Sequence, residues 1–195
     1  MKRVGLFGGS FDPVHNAHVA LARAALEQLE LDQLRWIPVG MPWQKSRRLA
    51  KAAHREAMVR LAIAGEPRFV LDRVELRRRG PTFTLETVRE LAAIEPGNRW
   101  FLVLGQDQYA GLHTWRDWPE LLERVTLAVA NRPGAAIAVD SEIAKAEHLT
   151  VSLPMMDVSS TEVRRRAAAG ESIADLVPEA VARYIEQHRL YSVAG

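Results

Sequence analysis

An α/β fold on an open, mostly parallel sheet with helices on both faces is predicted by three observations. Short apolar runs alternate with longer amphipathic stretches along the whole chain. The first run, residues 4–7, breaks at Gly8-Gly9-Ser10-Phe11-Asp12-Pro13-Val14 and passes into an Ala/Leu-rich stretch that opens His15-Asn16-Ala17-His18. The other unusual motifs fall in loops after predicted strands or before predicted helices, where open sheets of this kind bind ligands.

Each element has its own signal. Residues 3–7 form the first strand, and residues 16–29 a helix with Val19, Leu21, Leu26 and Leu29 as its apolar positions. Residues 34–39 make a second strand, followed by the loop Gly40-Met41-Pro42-Trp43-Gln44-Lys45. Residues 52–64 are an amphipathic helix closed by Gly65. Residues 69–71 and 74–76 read as short extended pieces. Gly80-Pro81 turns the chain, and Thr82 or Thr84 caps a helix running to about Ile94. Residues 100–104, the most apolar strand, end at Gly105-Gln106-Asp107. Residues 118–125 are helical, and residues 127–130 are a strand before the Arg132-Pro133-Gly134 turn. Residues 135–148 carry little signal, and residues 149–153 are the last strand. Ser159-Ser160-Thr161-Glu162 opens a helix with polar capping candidates, and Pro178 opens the last, over residues 179–188.

Bulk composition bounds the class. At 195 residues and 48% hydrophobic, the whole chain, 1–195, is expected to form a single domain with a sizeable core. No apolar run approaches membrane-spanning length and the N-terminus lacks a signal-peptide pattern, so a cytoplasmic protein with no membrane partner is expected. The 26 basic residues nearly balance 24 acidic ones. The runs Arg77-Arg78-Arg79 and Arg164-Arg165-Arg166 carry no interleaved aromatics, so no nucleic-acid partner is expected. The absence of cysteine removes thiolate zinc sites, iron–sulfur clusters and disulfides.

The glycine turn narrows the chemistry. A buried strand, a glycine turn and a helix N-terminus make a phosphate site. Gly5, Gly8 and Gly9 do not form G-x-G-x-x-G, and no G-K-[ST] occurs, so neither common nucleotide fingerprint is present. His15 and His18, three residues apart, project from one helix face and can reach the same anion. With no H-E-x-x-H and only Asp12 nearby, no metal site is assigned to them.

The glycine turn with His-x-x-His, together with Val158-Ser159-Ser160-Thr161-Glu162-Val163-Arg164, resembles the nucleotidylyltransferase superfamily. Its marks are (His/Thr)-x-Gly-His and Ile-Ser-Ser-Thr-x-x-Arg motifs. The remainder resembles one member family, the bacterial nicotinate-nucleotide adenylyltransferases, through residues 8–18, 42–45, Glu75-Leu76-Arg77-Arg78, Pro81-Thr82-Phe83-Thr84, Gly105-Gln106-Asp107, Thr114-Trp115 and Arg132-Pro133-Gly134. These occur in the family's order and cover nearly the whole chain. The implied fold is a Rossmann-like sheet of nucleotidylyltransferase type. Three positions depart from the pattern: Ala17 replaces the motif glycine, Gln44 precedes Lys45 where histidine is usual, and Phe83 replaces tyrosine.

The resemblance implies transfer of AMP from ATP to nicotinate mononucleotide, giving deamido-NAD and pyrophosphate. The attacking phosphate is already ionised, so positioning and charge neutralisation dominate over general-base chemistry. Backbone N–H groups around Gly8, Gly9, Ser10 and Phe11 suit phosphate. His15 and His18 would donate to ATP phosphate oxygens, and a neighbouring triphosphate favours their charged form. Lys45 would neutralise charge. Ser160 and Thr161 open a helix whose N–H groups suit the β- and γ-phosphates, within reach of Arg164's planar fork. Asp107 is placed for the adenosine ribose. Thr82, Phe83 and Thr84 open a helix whose N–H groups would take the nicotinate carboxylate, and Trp115 would stack on the pyridine. Mg²⁺ is expected with ATP, held mostly by phosphates and water.

Rival readings are another adenylyl- or cytidylyltransferase, a nucleotide sensor without turnover, and a nucleic-acid binder with steeply salt-dependent affinity. Arg55 fits either a contact with the second loop or a helix-surface ion pair. His54, His113, His148 and His188 have no supporting constellation.

Overall fold

The structure is a computed structural model that describes residues 1–42, 49–131 and 139–192. Its strands are β1 (Arg3–Gly9), β2 (Gln33–Pro38), β3 (Met41–Pro42), β4 (Phe69–Leu71), β5 (Pro81–Thr82), β6 (Arg99–Leu104), β7 (Thr126–Asn131) and β8 (His148–Ser152). Its helices are α1 (Asn16–Gln28), α2 (Ala52–Ile63), α3 (Thr84–Ile94), α4 (Gln106–Ala110), α5 (Trp118–Arg124), α6 (Ser141–Ala144), α7 (Ser160–Ala168) and α8 (Glu179–Gln187).

Six strands form one sheet in the order β4-β2-β1-β6-β7-β8, and every pairing is parallel. The chain winds outward from β1 through β2 to β4, then returns to β6 on the other side of β1 and winds outward again. Strand order therefore reverses between β1 and β6, and their carboxyl ends open a crevice there.

Side-chain alternation assigns the two faces. Phe7, Trp36, Phe101, Val103 and Ala128 pack beneath α1, α2, α7 and α8. Val4, Leu6, Ile37, Leu102, Leu104 and Leu127 pack beneath α3, α4, α5 and α6. Because successive strand residues point to opposite faces, a sheet covered on both sides must be apolar at nearly every position, as residues 100–104 are.

Several expectations are corrected. Residues 74–76 are not extended but turned. The Asp72 carboxylate accepts the Val74 N–H at 3.0 Å, and Arg77 N–H closes on Arg73 O at 3.1 Å. These local bonds displace a sheet partner. Neither Thr82 nor Thr84 caps α3. The N-cap residue is Phe83, without a side-chain cap, because Thr82 is drawn into the β3–β5 pairing. Part of the second loop, Met41–Pro42, is a two-residue strand. Trp43, Gln44, Lys45 and the Arg132-Pro133-Gly134 turn lie outside the described residues. Among the described residues, no helix is long and apolar enough to cross a membrane.

Candidate active site

A cavity of about 480 Å³ sits over the carboxyl ends of β1 and β6. Leu6, Ile37, Leu102 and Leu104 form its apolar floor, and the polar groups come from loops on opposite sides.

One side is the glycine turn. Gly8, Gly9 and Ser10 line the cavity. A Cβ on Gly9 would stand 3.0 Å from the Phe11 ring, so any side chain there would crowd that ring. Phe11 adopts φ 45°, and its ring is buried in the core rather than turned to the cavity. The turn's carbonyls are drawn away by outside donors. Val39 N–H donates to Gly9 O (2.8 Å), Arg55 Nη1 to Ser10 O (3.0 Å), Arg164 Nη1 to Asp12 O (2.7 Å) and Ser160 Oγ to Pro13 O (2.9 Å). Fixing the carbonyls outward fixes the orientation of the intervening peptides.

His15 is the N-cap residue of α1, and its N–H donates to His18 Nδ1 at 3.2 Å. The two rings stack with centroids 3.6 Å apart. With Nδ1 accepting, neutral His18 carries its proton on Nε2. His18 lines the cavity, whereas His15 is buried behind it.

Above the turn stands α7. Ser159 caps it, accepting the Glu162 N–H at 3.2 Å, as a polar residue before a helix should. Ser160 lines the cavity. Arg164 ties Asp12 O to Thr161 Oγ1 (3.1 Å). Arg165 and Arg166 face away and pair with Glu162, holding its carboxyl at about 2. They form the outward-facing basic face of α7.

The opposite side belongs to α3 and the segment after β6. Thr82, Thr84, Thr87 and Glu75 line it, together with Asp107 in the first turn of α4 and Trp115. Phe83 lies to one side beneath the Arg116 guanidinium, 4.8 Å from the ring centroid. Thr87 Oγ1 donates to Glu75 (2.9 Å) and accepts from Arg78 (2.8 Å). Burial pushes the Glu75 carboxyl above the ordinary glutamate range, against the pull of Thr87, Thr82, Arg78 and the Gly40 N–H.

The cavity thus gathers Gly8, Gly9, Ser10, His18, Asp107, Ser160, Thr82, Thr84 and Trp115. His15, Phe11, Thr161 and Arg164 border the turn without being among the cavity-lining residues. Ala17 is buried and is not among the lining residues. Sequence reasoning assigned no role to Glu75, Thr87 or Gln108. Glu75 stood within the Glu75-Leu76-Arg77-Arg78 match, and its place between two apolar residues, Val74 and Leu76, was a further usable signal. His54 and His188 belong to an α2–α8 contact through Tyr184, away from the cavity.

A family model described as cytidylyltransferase-like matches residues 6–166. The chain is 51% identical to a probable nicotinate-nucleotide adenylyltransferase of Methylibium petroleiphilum, over 98% of this chain and 93% of that protein. It is 39% identical to one from Frankia casuarinae, over 96% of this chain and all of that protein. Among solved structures it is similar to the Plasmodium falciparum nicotinic acid mononucleotide adenylyltransferase complexed with NaAD. The TM-score is 0.78 at 21% identity, covering 98% of both chains. The same enzyme complexed with APC gives a TM-score of 0.75 at 20% identity, again covering 98% of both chains.

Proposed function

We infer, from the premise that this chain belongs to the cytidylyltransferase-like family and, within it, to the nicotinate-nucleotide adenylyltransferases, how its cavity does their work. The reaction is transfer of AMP from ATP to nicotinate mononucleotide, a step of NAD biosynthesis. A phosphate oxygen of the mononucleotide bonds to the α-phosphorus of ATP. The bond from that phosphorus to the α–β bridging oxygen breaks, and the electron pair leaves with pyrophosphate.

The observation that carries this reading is the two-sided cavity. A turn and two helix N-termini suited to phosphates stand on one side, and a third helix N-terminus with an aromatic ring on the other. ATP lies along the first side. Gly8, Gly9, Ser10 and Phe11 offer backbone N–H groups, His18 offers Nε2–H, and Ser160 and Thr161 offer the start of α7. Arg164 adds a fixed cation at the same end, and His15 fixes the His18 ring. Lys45 adds a further cation from the second loop. Asp107 accepts from the ribose hydroxyls. The nicotinate carboxylate takes N–H groups at the start of α3, around Thr82, Phe83 and Thr84, while Trp115 stacks on the pyridine. A helix N-terminus prefers a carboxylate to a neutral amide, which sets the preference for the acid form.

These donors are cations and N–H groups, and Asp12 is fully buried with Oδ1 accepting from Tyr191 and Ala50. The set fits Mg²⁺ brought in on ATP and held chiefly by phosphates and water, where it offsets phosphate charge. With ATP, Mg²⁺ and nicotinate mononucleotide, the protein yields deamido-NAD and pyrophosphate in equal amounts. ADP or free AMP as the main product would overturn the reading.

A further inference from the structure

Arg55 and Tyr191 lie outside the cavity, yet both reach the turn that forms it. Arg55, one turn into α2, is 2% exposed. Burying a guanidinium is unfavourable unless its donors are met. Three backbone carbonyls from three segments meet them: Ser10 O at 3.0 Å, Ala50 O at 3.1 Å and Gly40 O at 3.4 Å. Tyr191, beyond α8, donates its hydroxyl to Asp12 Oδ1 at 2.7 Å. That same oxygen accepts the Ala50 N–H at 3.3 Å. Ala50 is thus gripped through its carbonyl by Arg55 and through its N–H by Asp12.

We propose that Arg55 and Tyr191 are positioning residues for the phosphate-binding turn, acting through Ser10 and Asp12. The reason is peptide geometry. The Ser10–Phe11 bond is trans and planar, so its C=O and N–H point in opposite directions. Arg55 holds the Ser10 carbonyl from behind and thereby aims the Phe11 N–H the other way. Phe11 holds φ 45°, a conformation unfavourable for its side chain, so the turn needs outside bonds to keep it. Tyr191 anchors Asp12, the next residue, at its carboxylate. Arg164 takes the Asp12 carbonyl, so Tyr191 and an ATP-side arginine bear on the same residue. The planar fork of arginine meets three carbonyls at fixed angles, and an ammonium on a flexible stem cannot reproduce this.

The proposal rests on reading this turn as the ATP-phosphate site. Arg55→Lys keeps the charge and removes the fork, and Tyr191→Phe removes one hydroxyl from a part-exposed residue. Each raises KM for ATP, Arg55→Lys about tenfold and Tyr191→Phe several-fold by the size of such bonds. KM for nicotinate mononucleotide stays within twofold, and the melting temperature stays within a few degrees. If Arg55→Lys does not fold, Tyr191→Phe decides. ATP kinetics within twofold of wild type in both variants, or equal losses for both substrates, would overturn the proposal. Equilibrium affinity for a non-hydrolysable ATP analogue gives the same comparison without turnover. Wild-type protein that binds the analogue but makes no deamido-NAD would count against the reaction, not against Arg55 and Tyr191.

Discussion

Replacing His18 with asparagine separates the work of its two ring nitrogens. Nδ1 accepts the His15 N–H at 3.2 Å and so closes the first turn of α1. With Nδ1 accepting, the proton sits on Nε2 of a ring that lines the cavity. Asparagine sets its Oδ1 close to where Nδ1 stood and can keep the capping bond, but nothing replaces Nε2–H. Alanine loses both. A single preorganised donor aimed at developing charge is worth about 10²–10³ in kcat. The cap is worth about 1 kcal/mol, which for a chain of this length is about 2–4 °C in melting temperature. His18→Asn is therefore expected to lose at least about 100-fold in kcat for pyrophosphate release while melting a few degrees above His18→Ala. Both variants lose the ring's packing against Phe7 and Phe11, so the difference between them reports the cap. Activity in His18→Asn within threefold of wild type would refute the role of Nε2. Equal melting temperatures for the two variants would refute the role of Nδ1.

Two further outcomes follow from groups packed around the cavity and beneath the sheet. Burial raises the Glu75 pKa, so its charged form is disfavoured on folding; its share of stability is fullest below the ordinary glutamate range and falls as pH rises through the raised value. Urea unfolding at a series of pH values should then show wild type gaining on Glu75→Gln as the solution is acidified, and a constant difference would contradict the burial argument. Arg35 is 8% exposed and pairs with Asp72 at 3.2 Å and with Glu95. Arg35→Met leaves two carboxylates without their cation and should cost about 3 kcal/mol in urea unfolding. A cost below about 1 kcal/mol would class the cluster with surface ion pairs.

How far the fold was legible depended on how local its causes are. The β1–Gly8–Gly9–α1 passage and the Ser159 cap of α7 were readable because neighbours in sequence supply both strand pattern and cap. Residues 74–76 misled because Val74 and Leu76 alternate as a strand would, while the Asp72 carboxylate two residues earlier closes an Asx turn. The Met41–Pro42 and Pro81–Thr82 strands are too short for any period to show, and their pairing left Phe83, not a threonine, as the N-cap residue of α3. Within the site, residues whose chemistry is their own side chain or their place at a helix start came forward readily: His18, Asp107 and Ser160. Arg55 stood equally between a surface ion pair and a loop contact, since helical position alone cannot tell a buried face from a solvated one. Its partners at Ser10 and Gly40 settle this. Tyr191 meets Asp12 across 179 residues of chain, and no local pattern marks such a pair.

The most direct test of the account compares nicotinate mononucleotide with nicotinamide mononucleotide, each with ATP and Mg²⁺, by kcat/KM for pyrophosphate release. An α3 N-terminus facing a carboxylate predicts a large preference for the acid; His18→Asn lowers both rates through the ATP side and leaves the acid-to-amide ratio unchanged. Equal rates with both mononucleotides, or release with neither, would contradict the assignment of this cavity to the acid nucleotide.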